Sequence, residues 1–144
     1  MIAEDRKMLV RRMFEDIWDR GSLAAVDELL SSDFVRHGPS SLEGDISGRG
    51  GFTQLVTMYR TAFPDLRVPI EQQVAEGDLV VTRWTAKGTH GGDLQGIAPT
   101  GRPINVQGVL IDRVAGGQIQ EEWAVYDSLG LMQQVQAGAQ PAAG

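Results

Sequence analysis

The sequence predicts an α+β domain, with helices first and then an antiparallel sheet that they cover on one face. Three observations carry this. Apolar residues recur at helical spacing early in the chain, as in Met8, Leu9, Met13, Phe14, Ile17 and Trp18. From Pro64 onward the segments become rich in Val, Ile, Thr and Trp, the residues that suit a pleated surface. Glycine-bearing turn signals separate those segments.

Residues 3–20 form the first predicted helix, which Gly21 ends. Ser22 is placed to cap a second helix whose apolar stripe is Leu23, Val26, Leu29 and Leu30. A short extended piece, 33-DFVRHGP-39, follows and is stopped by Gly38 and Pro39. The run SSLEGDISGRGG reads as a glycine-rich loop, and residues 51–63 as a third helix with Phe52, Leu55, Val56, Tyr59 and Phe63 on one side. Four strands are predicted over 65–76, 78–90, 103–115 and 117–127, with tight hairpins at Glu76-Gly77-Asp78 and Gly116-Gly117. The longer connection 88-GTHGGDLQGIAPTGRP-103 joins the two middle strands. Residues 1–137 read as a single domain, and 138–144 as a flexible tail.

Composition narrows the function. The net charge is −6, with no basic stripe, which argues against a nucleic-acid partner. There is no cysteine, so disulfides, thiol nucleophiles and cysteine-held zinc are excluded. With His37 and His90 as the only histidines, a nitrogen-rich metal site is not expected. No apolar run approaches the ~20 residues of a membrane span, and MIAEDRKMLV lacks the layout of a signal peptide. A cytoplasmic setting is the expectation.

Strand phase raises the functional question, because alternate residues face opposite sides. In 117–127, Ile119, Glu121, Trp123, Val125 and Asp127 share one phase, which holds the bulkier apolar residues. A carboxylate in that phase is costly unless paired, protonated or used. Strand 103–115 is half apolar on both faces, with Asn105, Gln107, Val109, Ile111 and Arg113 on one of them. A sheet apolar on both sides, in a chain with few helices, predicts a homodimer formed through the uncovered sheet face.

The order of 33-DFVRHGP-39, Phe63-Pro64-Asp65, 76-EGDLVVTRWTAKGTHGG-92, Pro99-Thr100-Gly101 and 118-QIQEEWAVYDSLGLMQQ-134 resembles the SnoaL-like polyketide cyclases. The likeness runs from about Met8 to Gln134. It implies the nuclear transport factor 2-like fold, a cystatin-like cone shared with ketosteroid isomerases, with a curved antiparallel sheet packed against N-terminal helices around a deep apolar pocket. It further implies a cofactor-independent enzyme acting on a hydrophobic, carbonyl-bearing molecule, as a polyketide cyclase-like lyase or isomerase. By the resemblance, Asp127 is the general acid/base of an intramolecular aldol closure. Gln107 is a hydrogen-bond donor to the substrate, and Val109 stands where some of the cyclases carry a histidine.

Each candidate has a plainer role beside the chemical one. Asp127, followed by Ser128-Leu129-Gly130, fits a helix N-cap as well as a pocket acid. His37, which the resemblance turns toward the pocket, is either a second proton shuttle or a histidine satisfied at a turn. His90 reads as a loop-positioning residue. Phe14, Trp18, Tyr59 and Trp123 are core aromatics that can also wall a pocket. Arg83 is either a cation beside a substrate carbonyl or a sheet-face ion-pair partner. An acid–Arg–acid cluster, which epoxide hydrolysis would need, has only Arg83 as its obvious centre. A ligand-binding or assembly module without catalysis is the alternative to an enzyme.

Overall fold

The amphipathic first segment is α-helical only over Ala3–Arg12 (α1) and continues over Met13–Asp19 as a π-helix. The computed structural model describes residues 1–39 and 41–136. The wider turn brings Met13, Phe14, Ile17 and Trp18 inward together, two adjacent pairs that a regular α-helix would splay further apart. Helix α2 (Ala24–Leu29) starts later than the expected Ser22 cap, with no side-chain cap, and the Ser22 carbonyl accepts the Ala25 amide at 3.1 Å. Its six residues bury Ala25, Val26 and Leu29; Leu23 stays exposed, and Leu30 belongs to the next strand.

The remaining elements are β1 (Leu30–His37), β2 (Ile46–Ser47), α3 (Gly48–Ala62), β3 (Ile70–Glu76), β4 (Leu79–Thr89), β5 (Pro103–Ala115), β6 (Gln118–Tyr126) and α4 (Ser128–Gln136). They form one six-stranded sheet in the order β2-β1-β6-β5-β4-β3. β3 to β6 are the antiparallel meander that the sequence predicts. β1 lies parallel to β6, so the sheet is mixed; α3 and four strands intervene, long enough to return the chain in the same direction. The hairpins fall at the expected glycines. Gly77 has φ +60°, and Gly116 and Gly117 have +61° and +74°, a left-handed pair that L side chains rarely adopt.

The helices cover one face of this curved, unclosed sheet. Phe34 of β1 meets Phe52 of α3 edge-on at 5.4 Å, and Trp18 meets Phe52 at 5.9 Å, which locks helices and sheet around one core. Among the described residues no helix is long and apolar enough to cross a membrane. The expected tail, 138–144, lies outside the described residues.

One irregularity decides which side chains reach the interior. Val114 pairs with Ile119 but Arg113 pairs with Glu121, so Gln120 is an extra residue on β6. A bulge of one residue flips the alternation beyond it. Ile119 is buried, as expected, but after the bulge Glu122 and Ala124 face the helices while Val125 is exposed. Uninterrupted alternation would place Glu121, Trp123, Val125 and Asp127 inward with Ile119. The structure turns that phase outward.

Candidate functional site

Between the helices and the sheet lies a cavity of about 70 Å³, several times the ~10–15 Å³ that holds one water. Phe14 and Trp18 enter it from the π-helix, Phe63, Leu66 and Val68 from the segment after α3, and Leu131 from α4. The sheet supplies Trp84 and Ala86 from β4 and Ile104, Val106 and Leu110 from β5. Gly108 carries no side chain in this row because the Trp84 ring lies over it, where a Cβ would collide with the ring. The polar side chains in the lining are Arg36, Tyr59 and Tyr126. Such a wall selects an apolar body and orients it by few polar contacts.

Those contacts are concentrated. The Tyr59 and Tyr126 hydroxyls lie 2.5 Å apart, and Glu43 Oε2 is within 2.9 and 3.1 Å of them. The Leu42 amide donates to the Tyr126 oxygen at 3.0 Å. Two hydroxyl hydrogens cannot fill all three oxygen–oxygen contacts, so one tyrosine donates to the other and that one to Glu43. Burial, reinforced by Tyr126 and Glu43, holds the Tyr59 hydroxyl well above its usual range; burial pushes Tyr126 up to about 12. Both hydroxyls therefore remain donors at neutral pH.

Behind the tyrosines sits a buried cation. Arg36 shares its strand face with Phe34; its Nη1 donates to Glu122 Oε2 at 2.6 Å and its Nη2 to Glu43 Oε1 at 3.4 Å. Glu122 faces Asp112 directly across β5 and β6, and both are fully buried. Burial first, then the charge of Glu122, drives the Asp112 carboxyl well above the ordinary carboxylate range, against the pull of Arg36. Among the described residues no group of three or more His, Cys, Asp or Glu is arranged to hold a metal ion.

The structure sorts the sequence candidates by strand phase. Phe14, Trp18 and Tyr59 line the cavity. Gln107, Val109 and Arg83 are exposed, because the cavity takes the other phase, Val106 and Leu110 of β5 and Trp84 of β4. His37 follows the inward Arg36 and so stands on the outer face, stacked on Trp123 at 5.4 Å and bonded to Glu121 Oε2 at 2.7 Å. Asp127 is exposed, does not line the cavity, and caps α4: its Oδ1 accepts the Gly130 amide at 2.9 Å. A Cβ on Gly130 would strike that carboxylate, so the SLG sequence and the cap fit each other. His90 is buried under Phe63 and its Nδ1 accepts the Thr100 amide at 3.2 Å, which ties the long β4–β5 connection together.

Arg36, Glu43, Asp112, Glu122 and Tyr126 were not singled out by the sequence reading. The signal for two of them was there. Arg36 is in phase with Phe34, and Asp112 with Ile104, Val106 and Leu110, which puts opposite charges on apolar faces.

Comparisons with known proteins agree over nearly the whole chain. The family model described as SnoaL-like polyketide cyclase matches residues 8–135. An aklanonic acid methyl ester cyclase from Streptomyces peucetius, DnrD, is 27% identical over 128 residues, which are 88% of each chain. A SnoaL-like protein from Jannaschia sp. CCS1 superposes with a TM-score of 0.86 at 25% identity, covering 97% of this chain and 96% of its own. AclR from Streptomyces galilaeus, described as a candidate hydroxylase, superposes with a TM-score of 0.82 at 27% identity over 99% of this chain and 87% of its own.

Proposed function

Because the chain belongs to the SnoaL-like polyketide cyclase family, we propose that it is a cofactor-independent enzyme that moves a proton on a hydrophobic, carbonyl-bearing small molecule, in an aldol-type cyclisation or an isomerisation. The observation that carries this reading is the cavity itself: apolar walls with the oxygens of Tyr59 and Tyr126 at one end. A substrate carbonyl that reaches the pair takes the hydroxyl hydrogen that one tyrosine gives the other, while the second tyrosine keeps its bond to Glu43. A hydrogen bond aimed at the oxygen where negative charge develops favours the enolate in an enclosed, poorly solvated site. Glu43 is the acceptor for the proton removed next to the carbonyl, reached by a concerted shift through the hydroxyl that it already accepts. In an aldol closure the enolate carbon then bonds to a second carbonyl carbon, and the proton returns to the new alkoxide. Atoms balance without oxidant or reductant.

The acid/base role that the resemblance assigns to Asp127 is the competing assignment, and would require its carboxylate to leave the Gly130 amide. Aklanonic acid methyl ester, the compound in the name of the Streptomyces peucetius relative, is the first substrate to assay. Tyr126→Phe and Glu43→Gln are expected to lower kcat at least about tenfold, ~1.4 kcal/mol of barrier. Asp127→Asn keeps turnover, since asparagine caps a helix about as well. Full turnover in Tyr126→Phe and Glu43→Gln with loss in Asp127→Asn would transfer the chemistry to Asp127. A wild-type protein that binds such ligands without converting them is the non-catalytic module of the same fold.

We propose also that the chain works as a homodimer through the outer sheet face and resides in the cytoplasm. Val81, Val109 and Val125 on that face are exposed, which supports a covering partner.

A further inference from the structure

Asp112 and Glu122 stand opposite each other on β5 and β6, each with no exposed surface. Among the described residues no N–H or O–H reaches either oxygen of Asp112, or Oε1 of Glu122. The other Glu122 oxygen is held by Arg36 of β1. On the other side of Asp112, its β4 neighbour Val80 is buried and apolar. The charged groups around the pair are therefore Arg36 and, beyond it, Glu43, with the Tyr59 and Tyr126 hydroxyls at the cavity. One guanidinium faces three carboxyl groups. Were all three ionised, two negative charges would stay unbalanced in a region without solvent, and two of them would face each other with no donor between. A single proton between Asp112 and Glu122 removes that repulsion and gives the orphaned oxygens a partner.

We propose that Asp112 and Glu122 hold one proton between them at neutral pH, and that Asp112, as the acid of the pair, is a positioning residue that keeps Glu122 turned to Arg36. Through Arg36 it acts on Glu43 and so on the tyrosine hydroxyls in the cavity. Burial and the charge of Glu122 both push the Asp112 carboxyl in the direction that retains the proton. The arrangement also explains why a lone buried arginine tolerates three acids. The third is neutral, and serves as a hydrogen-bond donor to the second. The proton is independent of what the cavity binds; only its consequence for turnover rests on the function proposed above.

The test is made on the ligand-free wild-type protein, so it stands apart from any substrate. Infrared spectra at pH 7 are expected to contain a protonated-carboxyl carbonyl band that shifts in deuterated buffer and is absent from Asp112→Asn. On raising the pH, the band and the NMR signal of the Arg36 side-chain N–H should change with one common midpoint. Asp112→Asn, which keeps a donor toward Glu122, should hold the Arg36 signal near its wild-type position across the same range. Absence of the band from the wild type, or its persistence in Asp112→Asn, overturns the shared proton. An Arg36 signal that stays fixed while the band disappears overturns the positioning role. Both readings on the wild type need no variant to fold.

Discussion

Asp112 is the residue at which burial and charge most directly set a measurable property of the protein. Its carboxyl is raised in the folded state, chiefly by burial and then by Glu122, above the ~3.9 of an unfolded aspartate. The folded protein therefore binds more protons than the unfolded chain above that pH, and stability falls as pH rises until the folded carboxyl itself ionises. Asparagine has no such proton. The stability of Asp112→Asn relative to wild type should accordingly grow between pH 4 and neutrality, with a slope of up to about 1.4 kcal/mol per pH unit. Asp65 and Glu121 are held low, by bonds from Thr89 and His37 in the first place, and work in the opposite direction. They are present in both proteins and cancel in the comparison. Urea midpoints of the two proteins at pH 5, 7 and 9 check this, and parallel pH curves would remove the buried acid from the account.

At the scale of elements, β6 explains both what the sequence made legible and what it concealed. The hairpins at Gly77 and Gly116-Gly117 were readable because only glycine adopts those left-handed conformations freely. The helices, the meander and the cap before α4 were readable from periodicity and from Asp127-Ser128-Leu129-Gly130. The bulge at Gln120 was not, since nothing in QIQEEW distinguishes an extra residue from a paired one. That single residue shifts the phase, so that Val125 and Asp127 are exposed while Glu122 and Ala124 are buried on the helix side. The parallel pairing of β1 with β6 was equally hidden, because it depends on two segments more than 80 residues apart. Next to β6, the cavity wall turns on Gly108 of β5, over which the Trp84 ring lies. Gly108→Ala places a methyl against that ring and must push it into the cavity or the strands apart. The expected cost is about 1–3 kcal/mol of overpacking in a urea titration, with weaker ligand binding by the survivor. An unchanged midpoint with unchanged Trp fluorescence would mean that the ring does not sit there.

For the whole molecule, the described residues leave the strands that wall the cavity on one side without a covering layer on the other. Val81, Ile111 and Trp123 pair in one row across β4, β5 and β6, continued by His37 of β1; Val109 and Val125 pair in the next. Val125 is 58% exposed and Val109 37%, so this is surface that water meets directly. The His37–Glu121 and Arg113–Glu121 contacts lie along one side of these rows and give them a charged margin, the layout of an apolar patch with a polar rim. A second copy meeting this face would bury both rows at once. It would also brace β6 from behind, the strand that presents Tyr126 to the cavity and Glu122 to Arg36. Val125→Glu places a carboxylate in the centre of the patch without touching the cavity side. If the wild type sediments as the proposed dimer, Val125→Glu should sediment as a monomer with unchanged secondary structure. A wild-type protein that sediments as a monomer at all concentrations would leave the outer face without this partner, and the bracing of β6 would have to come from the sheet alone.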